Sequence, residues 1–158
     1  KTLCFNLDEI NYSFSDSFDV IHCYGLLYHL QKPAEALQFL ARYCKEILLL
    51  ETCVSLGSDA KLNSCDEPIA IPTQSFTGIG CRPTRKWVFE NLESLFNYVY
   101  IPKTQPDHEE FPIDWNSSNL KASYARSVFI GSNFPIQNPL LANYLLETQR
   151  SYKADESL

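Results

Sequence analysis

The stretch Phe18-Asp-Val-Ile-His-Cys-Tyr-Gly-Leu-Leu-Tyr-His-Leu-Gln-Lys-Pro33 sets the architecture of the chain. Phe18 to Cys23 is a near-continuous apolar run, the pattern of a strand covered on both faces. The run leaves the sheet at Gly25, presents Tyr28 and His29, and ends at Pro33. Proline is well placed in the first turn of a helix, where its missing N–H would be unpaired anyway. In open α/β sheets, ligands bind just beyond the carboxyl ends of the strands. Tyr24 to His29 is therefore expected to form one wall of a ligand pocket.

Working outward, Ala36, Leu37, Leu40, Ala41 and Cys44 recur at helical spacing, with Glu35, Gln38 and Arg42 on the opposite face. Ile47-Leu-Leu-Leu-Glu51 follows as a second buried strand with Glu51 at its carboxyl end. Strand, helix and strand at this spacing make a βαβ unit, whose crossover is right-handed in nearly all cases. Upstream, Thr2 to Leu7 alternates and reads as a strand closed by Asp8 and Glu9, and Asn11 to Ser17 reads as a loop.

Downstream, Ser55 to Ile79 is polar and broken by Pro68 and Pro72, too long for an inert connection, and is a candidate lid or substrate loop. Thr84 stands at a helix N-cap, with Val88, Leu92, Leu95 and Phe96 on one face behind it. Tyr98 to Ile101 reads as a strand, Lys103 to Asn119 as a second loop containing Trp115, and Ala125 to Gly131 as a closing strand. From Pro139, the residues Leu140, Leu141, Tyr144 and Leu145 suggest a short helix before a polar end. The expected division is one domain over 1–135 with a helix and tail over 136–158.

The chain has 158 residues, is 45% hydrophobic and 13% aromatic, and so can bury a sizeable core. It has no apolar run of about 18 residues and no charged-then-apolar leader, so neither a membrane span nor a signal peptide is expected. Thirteen basic against 19 acidic residues, a net charge of −6, argue against a general nucleic-acid binder. A specific nucleic-acid substrate held by a few contacts stays open. Cys4, Cys23, Cys44, Cys53, Cys65 and Cys81 contain no Cys-x-x-Cys and no His partner at metal spacing. No metal site is expected, and a reduced, cytosolic compartment is. Asn11-Tyr-Ser13 and Asn116-Ser-Ser118 match the glycosylation pattern, which without a leader carries little weight.

Three local arrangements are better read as structure. Tyr28 and Lys32 have the spacing of a dehydrogenase pair, but Pro33 starts the helix only after them. Cys23, beside His22 and near His29, lies within a strand as buried filler rather than as a nucleophile. Gly78-Ile-Gly80 does not follow a strand into a helix, so it reads as a turn. No Gly-x-Ser-x-Gly elbow is present to suggest a hydrolase. A fourth arrangement is distributed: Asp8 and Glu9, then Tyr24, Gly25, Tyr28 and His29, then Glu51 and Thr52, with Arg126 starting the last strand. Each group has an ordinary structural explanation, but strand ends of a parallel sheet converge on one edge.

The Phe18 to Pro33 stretch resembles the fourth-strand motif of class I S-adenosylmethionine-dependent methyltransferases, and Ile47-Leu-Leu-Leu-Glu-Thr52 resembles their fifth strand. Within that class the chain is most similar to the tRNA wobble-uridine carboxymethyltransferase family, through Gly25-Leu-Leu-Tyr-His29, Leu50-Glu-Thr52 and Arg126-Ser-Val-Phe-Ile130. The resemblance implies an α/β fold, a partial Rossmann-like sheet holding strands three to seven, with the Gly-rich N-terminal cofactor-binding part outside the chain.

It implies methyl transfer from S-adenosylmethionine, ordinary or carboxylated, with Asp8 and Glu9 at the adenosine, Tyr24 and Gly25 behind the methionine portion, and Tyr28 with Arg126 on the carboxylate of a carboxylated donor. Arginine suits that role because its fork grips a carboxylate in a bidentate manner. His29 or His108 is the expected general base. The acceptor, a small molecule or tRNA, is left open. The loop Thr104 to Trp115 departs from the tRNA enzyme, and the implied activity belongs to a complete domain, in a homo-oligomer or with a completing segment. The competing expectation is a non-catalytic scaffold fragment that needs a partner.

Overall fold

A computed structural model describes residues 2–116 and 125–152. Strand β1 (Phe18–Tyr24) leads through a short 3-10 turn (Leu27–His29) to helix α1 (Pro33–Tyr43) and strand β2 (Cys44–Val54). The hairpin β3 (Leu62–Asp66) and β4 (Ile79–Pro83) precedes helix α2 (Arg85–Glu93) and strand β5 (Tyr98–Pro102). Short β6 (Thr104–Pro106), long β7 (Ala125–Ser132), β8 (Leu141–Ala142) and β9 (Arg150–Tyr152) complete the described elements.

The main sheet has the order β1-β2-β7-β5-β8. β1 and β2 run parallel, with Tyr24 opposite Glu51, as expected of a βαβ unit. β7 is antiparallel to both β2 and β5. That reversal brings the start of β7 to the carboxyl end of β2, where Arg126 stands opposite Cys53.

The helices form where the apolar spacing places them. Pro33 begins α1, and Ala36 and Leu37 on its inner face are fully buried. Thr84 caps α2, its hydroxyl accepting from the Trp87 amide at 3.2 Å. Val88 and Leu92 of α2 are also fully buried. α1 and α2 touch each other as well as the sheet, which places both on one face, over Leu48, Leu50, Val54 and Phe129. Burying side chains of this size contributes roughly 1.5–3 kcal/mol each.

Five expectations need correction. Lys103 to Asn119 is not all loop, because Thr104 to Pro106 pairs in parallel with Arg150 to Tyr152. Thr2 to Leu7 is not a strand; Phe5 instead stacks on Tyr12 at 5.6 Å and packs at 5.8 Å against Phe39 of α1. Aromatic packing on the helix replaces ladder bonding to β1. The segment Ser55 to Ile79 is not all loop, because Leu62 to Asp66 pairs with Ile79 to Pro83. Pro139 to Leu145 is not helical: Leu141 and Ala142 pair with Pro102 and Ile101 of β5. β1 is not covered on both faces, since Phe18, Val20 and Tyr24 are 44, 53 and 44% exposed. The Ser117–Ser118 part of the second glycosylation pattern, Asn119 and the polar end after Tyr152 lie outside the described residues.

No helix among the described residues is long and apolar enough to cross a membrane.

Candidate functional site

The site begins with Gly25, which holds φ +69°, a left-handed conformation that glycine adopts without strain. Its amide donates to Glu51 Oε2 at 2.9 Å. Glu51 is buried opposite Tyr24, with β2 running on past it to Val54 rather than ending there, and its other oxygen accepts from Arg126 Nη1 at 2.9 Å. One carboxylate therefore ties the turn after β1 to the start of β7.

Arg126 is further engaged. Its Nε donates to Glu110 Oε2 at 2.7 Å and its Nη2 to the Tyr28 hydroxyl at 3.3 Å. Burial alone would favour the uncharged guanidine, but the bonds to Glu51, Tyr28 and Glu110 outweigh it and hold Arg126 above its ordinary range. Tyr28 lies between two cations: the Arg82 and Arg126 guanidinium carbons stand 5.1 and 5.3 Å from its ring centroid, within cation–π range.

On the other side of the turn, His29 Nδ1 meets Glu67 Oε2 at 2.6 Å. Glu67 also accepts from the Ser75 amide at 2.7 Å and from Arg82 at 3.2 and 3.3 Å. Burial raises the Glu67 carboxyl, yet the bonds from His29, Ser75 and Arg82 and the attraction of His29 together hold it below its ordinary value. As a carboxylate Glu67 can only accept, so the Nδ1 proton lies between the pair, and Nε2 is the ring nitrogen turned away from Glu67. Gly80 lets this packing close: a Cβ there would lie 2.7 Å from the Tyr28 carbonyl and 2.8 Å from the Glu67 carboxylate.

Asp8 is buried, and its Oδ1 accepts from the Lys32 amide at 2.9 Å, at the entrance of α1. It shares a cavity of about 380 Å³ with His29, Asn6, Leu26, Ser75 and Phe76. Asn6 Nδ2 is buried beside it with no hydrogen-bond partner among the described residues. Glu9 is exposed. Tyr24 is half-exposed, its ring against His22 at 3.8 Å.

The structure thus brings Gly25, Tyr28, His29 and Arg126 into one network and sets Asp8 on the far side of His29. His108 is exposed on the loop that carries Glu110, its Nδ1 accepting from the Glu110 amide at 3.2 Å. It lines a separate depression of about 490 Å³ with Asp107, Phe111 and Ser151. Among the described residues no group of His, Cys, Asp and Glu could hold a metal ion.

Glu67, Arg82 and Glu110 belong to the network without having been singled out from the sequence. Glu67 directly follows β3 and Arg82 lies in β4, and the polar run Leu62-Asn-Ser-Cys-Asp66 carries no apolar alternation that would have located them. Nothing local marks Glu110.

No protein-family model and no curated protein matches the chain. Two solved structures are similar to it. The N-terminal domain of EvdMO1 with SAH bound aligns at TM-score 0.55 and 21% identity, over 74% of this chain and 47% of that one. The same domain in the presence of SAH and D-fucose aligns at TM-score 0.56 and 22% identity, over 75% and 48%. This chain has the fold of part of an SAH-binding domain. It spans about half the length of the chains it matches.

Proposed function

We propose that the chain is the carboxyl-terminal part of a Rossmann-like methyltransferase domain that uses S-adenosylmethionine (SAM) and releases SAH. The observation that carries this reading is the network around Tyr28, at the carboxyl edge of a sheet whose fold matches a domain crystallised with SAH.

The residues fit such a donor. Gly25 would carry a Cβ into open space, with only the Tyr28 hydroxyl within 4.0 Å, so a ligand can approach its backbone. Asn6 lines the cavity that Asp8 lines, and its buried Nδ2 is a donor with no partner among the described residues. Asp8, Asn6 and Glu9 would hold the adenosine, Tyr24 and Gly25 the methionine portion, and Tyr28 the sulfonium side. When bound, SAM supplies an electrophilic methyl group for in-line displacement, so the protein's main task is alignment. Glu51 fixes the Gly25 turn and Arg126 fixes Tyr28. Glu67 orients His29, leaving Nε2 to take a proton from an acceptor hydroxyl. His108, exposed and with its Nδ1 occupied, is the second candidate base.

An ordinary donor is favoured over a carboxylated one. Arg126 already faces two carboxylates, Glu51 and Glu110, and a third would be repelled. The acidic surroundings and the net charge of −6 likewise favour a small-molecule acceptor over tRNA. Six free cysteines suit a reduced, cytosolic setting.

β1 is an edge strand of the sheet and has an open face carrying Phe18, Val20 and Tyr24, which supports completion of the sheet and covering of that face by a further segment or by a second copy. The same face favours the second reading, a scaffold piece without catalysis. Titrating SAM into the wild-type chain and into Tyr28→Phe and Arg126→Lys, with the thermal midpoint as readout, tests the donor site. The variants should lose most of the ligand-induced rise; an equal rise in all three contradicts the assignment.

A further inference from the structure

Arg85 opens α2 from a position that is 8% exposed. Its Nη1 donates to the Leu146 carbonyl at 2.8 Å, and its guanidinium carbon stacks 3.9 Å above the Trp115 ring. Its Nε and Nη2 are sealed from water and have no hydrogen-bond partner among the described residues. These two nitrogens present the parallel N–H pair on one edge of the guanidinium, the edge that matches the two oxygens of a carboxylate or phosphate.

An unpaired buried cation is costly, and such groups in proteins are normally satisfied. Arg85 adjoins a cavity of about 430 Å³ that is also lined by Lys86, Ser55, Ser58, Trp115 and Glu147. Lys86 adds a second cation in the first turn of α2, where the helix end itself favours negative charge. Glu147 is the opposing charge on the lining, and its Oε2 accepts from Asn116 Nδ2 at 3.2 Å.

We propose that this cavity is an oxyanion site, in which the Nε and Nη2 edge of Arg85 grips a carboxylate or phosphate group of a small molecule, with Lys86 as the second cation. The site stands on the geometry of Arg85 and does not depend on methyl transfer. Because both nitrogens are closed off, the anion must displace neighbouring lining to reach them, and the Trp115 ring stacked on the guanidinium reports that movement. That ring is otherwise anchored, its Nε1 donating to Gln149 at 2.7 Å.

The test is a titration of the isotope-labelled full chain with acetate and, separately, inorganic phosphate at constant ionic strength set by chloride, following the Arg85 Nε–H and Trp115 indole signals by NMR. A saturable shift of both signals is expected with at least one probe, and the probe that saturates at the lower concentration identifies the oxyanion class. Arg85→Lys retains the charge but lacks the fork, and should raise the midpoint for the indole shift at least tenfold. No saturable shift with either probe overturns the proposal. So does a shift that chloride alone reproduces, or one that survives unchanged in Arg85→Lys.

Discussion

Glu51 and Arg126 meet at 2.9 Å although 75 positions separate them in the chain. Glu51 is the last residue of β2 paired with β1, Arg126 is the second residue of β7, and the antiparallel course of β7 makes the encounter possible. The second oxygen of Glu51 holds the Gly25 amide, so the pair fixes the turn that carries Tyr28 and His29.

Arg126→Leu leaves the buried Glu51 without its cation and is expected to destabilise the chain by about 3 kcal/mol, the lower end for breaking a buried pair. Replacing both Glu51 and Arg126 by leucine should cost less than the two single losses added together. Urea midpoints of the two single variants and the double variant measure this coupling.

Glu67 gives the fold a defined acid limit. Its carboxyl is held below its ordinary value in the folded chain, so the stability it contributes is complete above the unfolded carboxylate pKa. That contribution is lost as pH falls through the lowered folded value. Glu67→Gln should be less stable at neutral pH and show a shallower loss in acid, read from denaturant midpoints across pH. Parallel curves for both proteins would contradict the ion-pair assignment.

Gly80→Ala drives a methyl group against the Tyr28 carbonyl and the Glu67 carboxylate. Overpacking of this kind costs about 1–3 kcal/mol. The thermal midpoint should fall, and the backbone resonances of Tyr28 and His29 should move with it.

The cysteines differ in reactivity. Burial pushes Cys23 and Cys53 up to about 11 and Cys81 to about 12, whereas Cys4 is exposed. A thiol reagent at mildly alkaline pH should label Cys4 first and reach Cys23, Cys53 and Cys81 only on unfolding. Mass spectrometry of the labelled chain checks the order.

Much of this was legible in the sequence, for identifiable reasons. Pro33 and the spacing of Ala36 and Leu37 mark α1, Thr84 marks α2, and the apolar runs around Val20 and Leu49 mark the parallel pair. Gly25 marks the turn because only a left-handed residue fits there. The spacing of Leu140, Leu141, Tyr144 and Leu145 misled because edge pairing of Leu141 and Ala142 with β5 overrides a short periodic signal. Leu3 and Phe5 misled similarly, since alternation does not distinguish a ladder from an aromatic cluster on α1. Glu67, Arg82 and Glu110 were invisible because their roles arise from tertiary pairing with His29, Tyr28 and Arg126.

The most direct test of the proposed SAM-binding edge is an amide NMR titration of the full chain with SAH, carried to millimolar ligand so that a partial site is still detected. Saturable shifts are predicted at Asp8, Glu9 and Gly25 to His29, with the distant amides of β9 unmoved. No shift in the Gly25 to His29 turn, or saturable shifts confined to other regions, would contradict the account.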